Sequence, residues 1–214
     1  MKSYIRLIDT RTQGNRNDVT PIFADHDAFA ALVEDLVQPF SGKDLDCVAG
    51  IDALGFILGV AVAMRLGVGF VPLRKGGKLP VAVDAADFID YTGQSKRLEL
   101  RKDAIRPGQR VLLVDEWVET GAQVSAGADL IERHGAIVTG IATINMDDNA
   151  QTRSLRQRYF CHSVWQSECW PQAASSKPPR SAKTLEVYIQ WATAPSSLLT
   201  ATPHKVAQPV ASSR

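Results

Sequence analysis

The stretch Val111-Leu112-Leu113-Val114-Asp115-Glu116-Trp117-Val118-Glu119-Thr120-Gly121-Ala122-Gln123 decides the architecture. Its apolar run begins after Arg110 and ends in acids at Asp115, which reads as a strand buried on both faces. Residues 123–134 then repeat apolar positions at helical spacing and stop at Gly135, the residue type that tolerates the turn after a helix. The strand tip carries two adjacent carboxylates. Backbone amides at the following helix N-terminus suit a phosphate monoester. Thr120 adds a hydroxyl donor, and Gly121 lets the backbone approach closely. Two acids beside a phosphate site suit the vicinal hydroxyls of a sugar, directly or through a divalent metal.

Working outward, the alternation of strand and helix continues. Residues 25–40 place Phe29, Leu32, Val33, Leu36 and Val37 at helical spacing behind Asp25, an N-cap residue. Residues 45–51 predict a strand, 55–66 a buried helix stopped by Gly67, and 68–73 a second strand. A basic, glycine-rich turn follows, Arg74-Lys75-Gly76-Gly77-Lys78. Residues 81–96 lack a clear period and are expected to form a long loop or flap with one strand near its start, paired with 98–101. Residues 137–145, 149–157 and 159–165 predict strand, helix and strand. The expected fold is α/β: a parallel sheet flanked by helices, with a flexible flap. Ligands of such sheets bind outside the carboxyl ends of the strands.

Composition narrows the setting. The chain has 214 residues, 45% hydrophobic and 22% charged, with a net charge of +1. That gives no case for a nucleic-acid or membrane partner. Residues 171–214 carry five Lys/Arg against one acid, Glu186, and six of the 11 prolines. The expected organisation is a domain over 1–170 and a Pro/Ser-rich basic tail over 171–214, mostly disordered except for 185–191. Cys47, Cys161 and Cys169 cannot all pair and lack zinc-site spacing, so free thiols in a reducing, cytoplasmic setting are expected. The start of the chain shows no secretory pattern, and its longest nearly apolar run, 54–64, is too short to span a bilayer.

The 111–123 segment resembles the phosphoribosyl diphosphate (PRPP) signature of type I phosphoribosyltransferases. The resemblance extends in order from about residue 15 to 166. Asn17-Asp18-Val19-Thr20-Pro21, Gly50-Ile51-Asp52-Ala53-Leu54-Gly55-Phe56, Leu66-Gly67-Val68-Gly69-Phe70-Val71-Pro72-Leu73-Arg74-Lys75-Gly76-Gly77-Lys78-Leu79-Pro80 and Lys102-Asp103-Ala104-Ile105-Arg106-Pro107-Gly108-Gln109-Arg110 are most similar to the adenine branch. The resemblance implies transfer of phosphoribosyl from PRPP to a purine base, adenine favoured, in purine salvage, by a homodimer. Mg²⁺ would be held mainly by PRPP, with no protein ligand assigned to it. By the same resemblance Asp115 and Glu116 hold the ribose, and Val118, Glu119, Thr120, Gly121, Ala122 and Gln123 hold the 5′-phosphate. Asp52, Ala53, Leu54 and Gly55, with Arg74, Lys75 and Lys78, take the pyrophosphate. Arg16, Asn17 and Trp117 fall to the base, and Glu119 or Asp90 is the acid/base group.

The chain departs from the family pattern at several of these positions. Glu116 stands where a second Asp is usual, and Leu54 where an Arg is usual. Glu119-Thr120-Gly121-Ala122-Gln123 replaces Ala-Thr-Gly-Gly-Thr, and Asp90-Tyr91-Thr92-Gly93 replaces Glu-Tyr-Gly. Asn17 replaces an Arg, with Arg16 one place earlier. In 6-oxopurine phosphoribosyltransferases an acid at the Glu119 position faces the base and handles its proton, so a 6-oxopurine enzyme is an alternative. Leu54 and the altered phosphate loop keep a second alternative open, a catalytically weak PRPP- or nucleotide-binding regulator. Trp117 can stack on the base or pack under the loop.

Overall fold

The computed structural model describes residues 2–12 and 17–165. Its framework is a seven-stranded sheet in the order β3-β4-β2-β1-β5-β6-β7. The wholly buried β1 (Cys47–Ile51) runs parallel to β2 (Gly69–Lys75) on one side and to β5 (Arg110–Val118) on the other. β6 (Ile137–Met146) and β7 (Cys161–Trp165) continue the parallel order beyond β5. Helices α1 (Thr20–Ala24), α2 (His26–Val37), α3 (Leu54–Leu66), α4 (Ala122–Arg133) and α5 (Ala150–Arg158) lie between and before the strands.

Side chains of β5 alternate between two cores, as the two-residue period of a strand requires. Val111 and Leu113 join Ile51, Leu73 and Leu130 on the α4 face. Leu112 and Val114 join Leu36, Leu58 and Val62 on the α2 and α3 face. Burial on both faces is why this strand reads as a continuous apolar run. The caps follow local chemistry. Asp25 accepts the Ala28 N–H at 2.8 Å at the start of α2, and Gly67 closes α3 at φ 71°.

Three features differ from the sequence expectation. The sheet is mixed, because β4 (Ser95–Arg101) joins β2 antiparallel. Most of residues 81–96 is hairpin rather than loop: β3 (Val83–Ile89) pairs antiparallel with β4 from Val83↔Arg101 to Ile89↔Ser95. Only the last four residues of β3 alternate in burial. The small and acidic residues Asp84, Ala85, Ala86 and Asp87 on this edge strand leave little period to detect. Finally, β5 runs three residues past Asp115, pairing Trp117 with Asn145 and Val118 with Met146. The acid pair therefore stands on the strand as expected, though inside it rather than at its end, and Trp117 stands on the strand too. A short 3₁₀ turn at Ser3–Leu7 also lacks a sequence signal, and the short α1 has only Pro21 in its first turn to mark it.

Cys47 and Cys161 are free thiols. Cys169 and the tail, including 185–191, lie outside the described residues. Among the described residues no helix is long and apolar enough to cross a membrane.

Candidate active site

The strand ends that carry chemistry meet at the carboxyl edge of the sheet. An open cleft is lined by Phe88, Asp90, Tyr91, Asp115, Trp117, Val118, Glu119, Thr120, Gly121, Gln123 and Val124. The cleft gathers most of the expected PRPP residues with both acid/base candidates and Trp117.

Asp115 is 7% exposed. It accepts the Glu116 N–H at 2.8 Å and the Gln123 amide at 3.2 Å. These bonds tie the tip of β5 to the first turn of α4. Gly121 precedes α4 at φ 87°, a conformation that favours glycine. A Cβ there would come within 3.2 Å of Leu155. The Thr120 hydroxyl accepts the Ala122 N–H at 3.2 Å, shaping the loop so that its amides gather at the start of a 12-residue helix.

The two acid/base candidates stand differently. Asp90 Oδ1 accepts the Thr92 hydroxyl at 2.5 Å and the Thr92 and Gln94 N–H groups at 2.8 and 3.1 Å. The Thr92 hydroxyl first, then these amides and the Lys96 ammonium, hold the Asp90 carboxyl below its usual range. Its charge is engaged by its own turn. Glu119 also lines the cleft, and its carbonyl accepts the Asn149 amide at 2.7 Å. Asp147 lies beyond it at the end of β6. Burial first, then the Glu119 charge, raises the Asp147 carboxyl pKa, opposed by hydrogen bonds from Asn145 and Trp117. The Trp117 ring also packs edge-on against Trp165, with centroids 5.2 Å apart at 87°. It thus both lines the cleft and packs against the core on the α2 and α3 face.

The expected pyrophosphate residues flank this cleft without lining it. Asp52 Oδ2 lies 3.6 Å from Arg74 Nε and 3.4 Å from the Lys75 backbone nitrogen. The Asp52–Ala53 peptide is cis. Gly55 abuts the acid site, since a Cβ there would lie 3.1 Å from Asp115 Oδ1. Lys75 and Lys78 are exposed. Leu54 packs against the core shared by α2 and α3, so its side chain serves the fold. Glu116 is half-buried on β5, and Ala122 packs against the α4-side core. Asn17 stands outside the cleft lining, next to the backbone bridge between Asp9 and Asp18. Arg16 lies outside the described residues.

Sequence reasoning passed over Phe88, Val124, Asn149 and Asp147, and quoted Tyr91 only within the 90–93 flap motif. Asn149 had a local signal, because Asn149 and Thr152 form a capping box at the start of α5. Phe88 reaches the cleft through the β3–β4 pairing, which has no short-range signature, Val124 enters it from the first turn of α4, and Asp147 stands outside the lining just past the end of β6.

Known proteins share this arrangement. The phosphoribosyl transferase domain model matches residues 21–176. An adenine phosphoribosyltransferase of Dinoroseobacter shibae is 48% identical over 144 residues, covering 66% of this chain and 80% of that protein. One of Paracoccus denitrificans is 44% identical over 146 residues, covering 67% and 78%. The crystal structure of adenine phosphoribosyltransferase from Rhodothermus marinus superposes with a TM-score of 0.69 at 33% identity, covering 76% of this chain and 95% of that one. The acid-tipped β5, the Thr-Gly turn before α4 and the 52–55 loop are thus set in a shared architecture, and the chain belongs to the phosphoribosyltransferase family.

Proposed function

We propose that the chain transfers the phosphoribosyl group of PRPP to a purine base, adenine favoured, giving a nucleoside monophosphate and pyrophosphate in purine salvage. The observation that carries this reading is the junction of Asp115, the Thr120-Gly121 turn and the α4 N-terminus in one cleft. Relatives named adenine phosphoribosyltransferase at 44–48% identity support the choice of base.

In this mechanism a ring nitrogen of the base bonds to ribose C1 as the bond from C1 to pyrophosphate breaks. The nitrogen's proton passes to Glu119, with Asp90 the second candidate. Both residues line the cleft, and Glu119 is favoured by the resemblance to 6-oxopurine enzymes, in which an acid at this loop position faces the base. Asp115 and Glu116 orient the ribose hydroxyls, and the 118–123 loop holds the 5′-phosphate. Arg74, Lys75 and Lys78 neutralise the departing pyrophosphate beside the 52–55 loop. Mg²⁺, arriving mainly on PRPP, would supply further neutralisation; among the described residues no group of three or more His, Cys, Asp or Glu side chains is placed to hold it. Arg16, Asn17 and Trp117 are assigned to the base side.

The catalytic unit is proposed to span 1–170, with 171–214 an appended segment, in a cytoplasmic enzyme. A homodimer is part of the proposal. Helix α3 exposes Ile57, Val60 and Met64 at 44%, 46% and 77%, an apolar stripe suited to a partner. Light scattering on the purified protein checks it.

A 6-oxopurine substrate is favoured by one observation, the Glu119 carboxylate in the cleft wall. A weakly catalytic PRPP binder is favoured by another, Leu54 turned to the core in place of a cation. Incubation with PRPP, Mg²⁺ and adenine, hypoxanthine, guanine, xanthine or uracil separates the three. The expected result is adenosine monophosphate from adenine. Product from hypoxanthine but not adenine makes it a 6-oxopurine enzyme. PRPP binding without product from any base makes it a binder.

A further inference from the structure

The basic turn after β2 is held from below by an acid. Glu99 of β4 is 8% exposed, and its Oε1 accepts the Gly77 N–H at 2.9 Å. Gly77 adopts φ 74°. One residue earlier, the Gly76 N–H donates to the Arg97 carbonyl at 2.9 Å. The β2–β4 ladder, Arg74↔Glu99 and Lys75↔Leu98, therefore runs on into the turn. Directly opposed residues of an antiparallel pair project to the same face, which places the Glu99 side chain beside that of Arg74.

A buried carboxylate is costly unless hydrogen-bonded. Under a turn that receives a polyanion, it also opposes the ligand's charge. The offsetting gain is fixation. A charge-assisted bond to one backbone amide holds the strand end and turn from which Arg74, Lys75 and Lys78 project. The same β4 is a stem strand of the hairpin whose tip carries Asp90 and Tyr91 to the cleft. One strand thus supports both the pyrophosphate side and the flap side.

We infer that Glu99 is a positioning residue for the diphosphate, acting through the Gly77 N–H to set the 74–78 turn. The inference rests on the PRPP reading above. The expected pattern is selective. Glu99→Ala removes the acceptor, and Glu99→Asp keeps the charge but withdraws it by one methylene. Both should weaken binding of PRPP and of inorganic pyrophosphate about tenfold, the scale of a small misplacement of binding groups. Glu99→Gln keeps an acceptor oxygen and should stay within about threefold of the parent. Adenosine monophosphate, which carries no diphosphate, should bind all four proteins alike.

Calorimetric titration of the full chain with each ligand in the presence of Mg²⁺ reads these constants, and circular dichroism confirms folding. Where Glu99→Ala does not fold, Glu99→Asp against Glu99→Gln carries the comparison. Unchanged pyrophosphate affinity in Glu99→Asp overturns the inference. So does an equal loss of adenosine monophosphate affinity, or a Glu99→Gln loss as large as that of Glu99→Asp. A parent protein that binds neither PRPP nor pyrophosphate refutes the function reading instead.

Discussion

Gly55→Ala places one methyl where the first turn of α3 meets the end of β5. An ideal Cβ at this position would lie 2.9 Å from the Val114 carbonyl oxygen, 3.1 Å from Asp115 Oδ1 and 3.2 Å from Asp115 Cα. Ordinary contact begins near 3.4 Å, so helix and strand must part by roughly half an ångström. The nearest obstacle is backbone, which no side-chain rotation relieves. Overpacking of this kind costs about 1–3 kcal/mol. The better helix propensity of alanine returns at most about 1 kcal/mol, so the steric effect prevails. A net loss of about 1–2 kcal/mol lowers Tm by roughly 2–8 °C. The same displacement separates Asp115 from the 52–55 loop by about the tolerance of a binding constellation, ~0.5 Å. PRPP affinity should then fall about tenfold. Differential scanning calorimetry and titration with PRPP and Mg²⁺ measure the two effects. Unchanged Tm together with unchanged PRPP affinity would refute the claim that this junction is filled.

The remaining predictions test other parts of the site. Asp115→Asn should weaken PRPP binding about tenfold by calorimetry, while Asp148→Asn, at an exposed acid, should leave it unchanged. Asp147 has a raised carboxyl pKa in the fold, from burial first and the Glu119 charge second. The folded state therefore holds that proton more tightly than the unfolded chain, and the stability this contributes is present at low pH and lost as pH rises through the folded value. Asp147→Asn should accordingly gain in Tm over the parent at neutral pH and lose that gain on acidification; a difference that does not vary with pH contradicts the assignment. Asn149→Ala removes the capping box of α5 and the amide bond to the Glu119 carbonyl. It should cost about 1 kcal/mol of stability in denaturant unfolding.

What the sequence made legible follows the range of the forces involved. β5 announced itself because burial on both faces leaves an unbroken apolar run. The Thr120-Gly121 turn did so because its positive φ demands a particular residue type. The β3–β4 hairpin was legible only in part, as a strand near the start of 81–96 paired with 98–101; its full length was not, because an edge strand tolerates Asp84 and Asp87, which blur the period. Glu99 and Asp147 were invisible for a different reason. Their roles exist only across strand pairings or between loops, as in Glu99 with Gly77 and Asp147 with Glu119. Leu54 is legible in the sequence for its loop position, while the packing of its half-buried side chain against the α2 and α3 core has no local signature.

The edge-on contact between Trp117 and Trp165 has a temporal side. Trp117 lines the cleft from β5, but its ring partner belongs to β7, 48 residues later in the numbering of the chain. During synthesis from the N-terminus, β1, β2, β5 and α4 can all be in place while that wall of the cleft still lacks its support. The wall toward β6 and β7 is therefore completed after the side built on β1 and β2. A chain cut short before Trp165 would keep every lining residue and still lose the support of one of them.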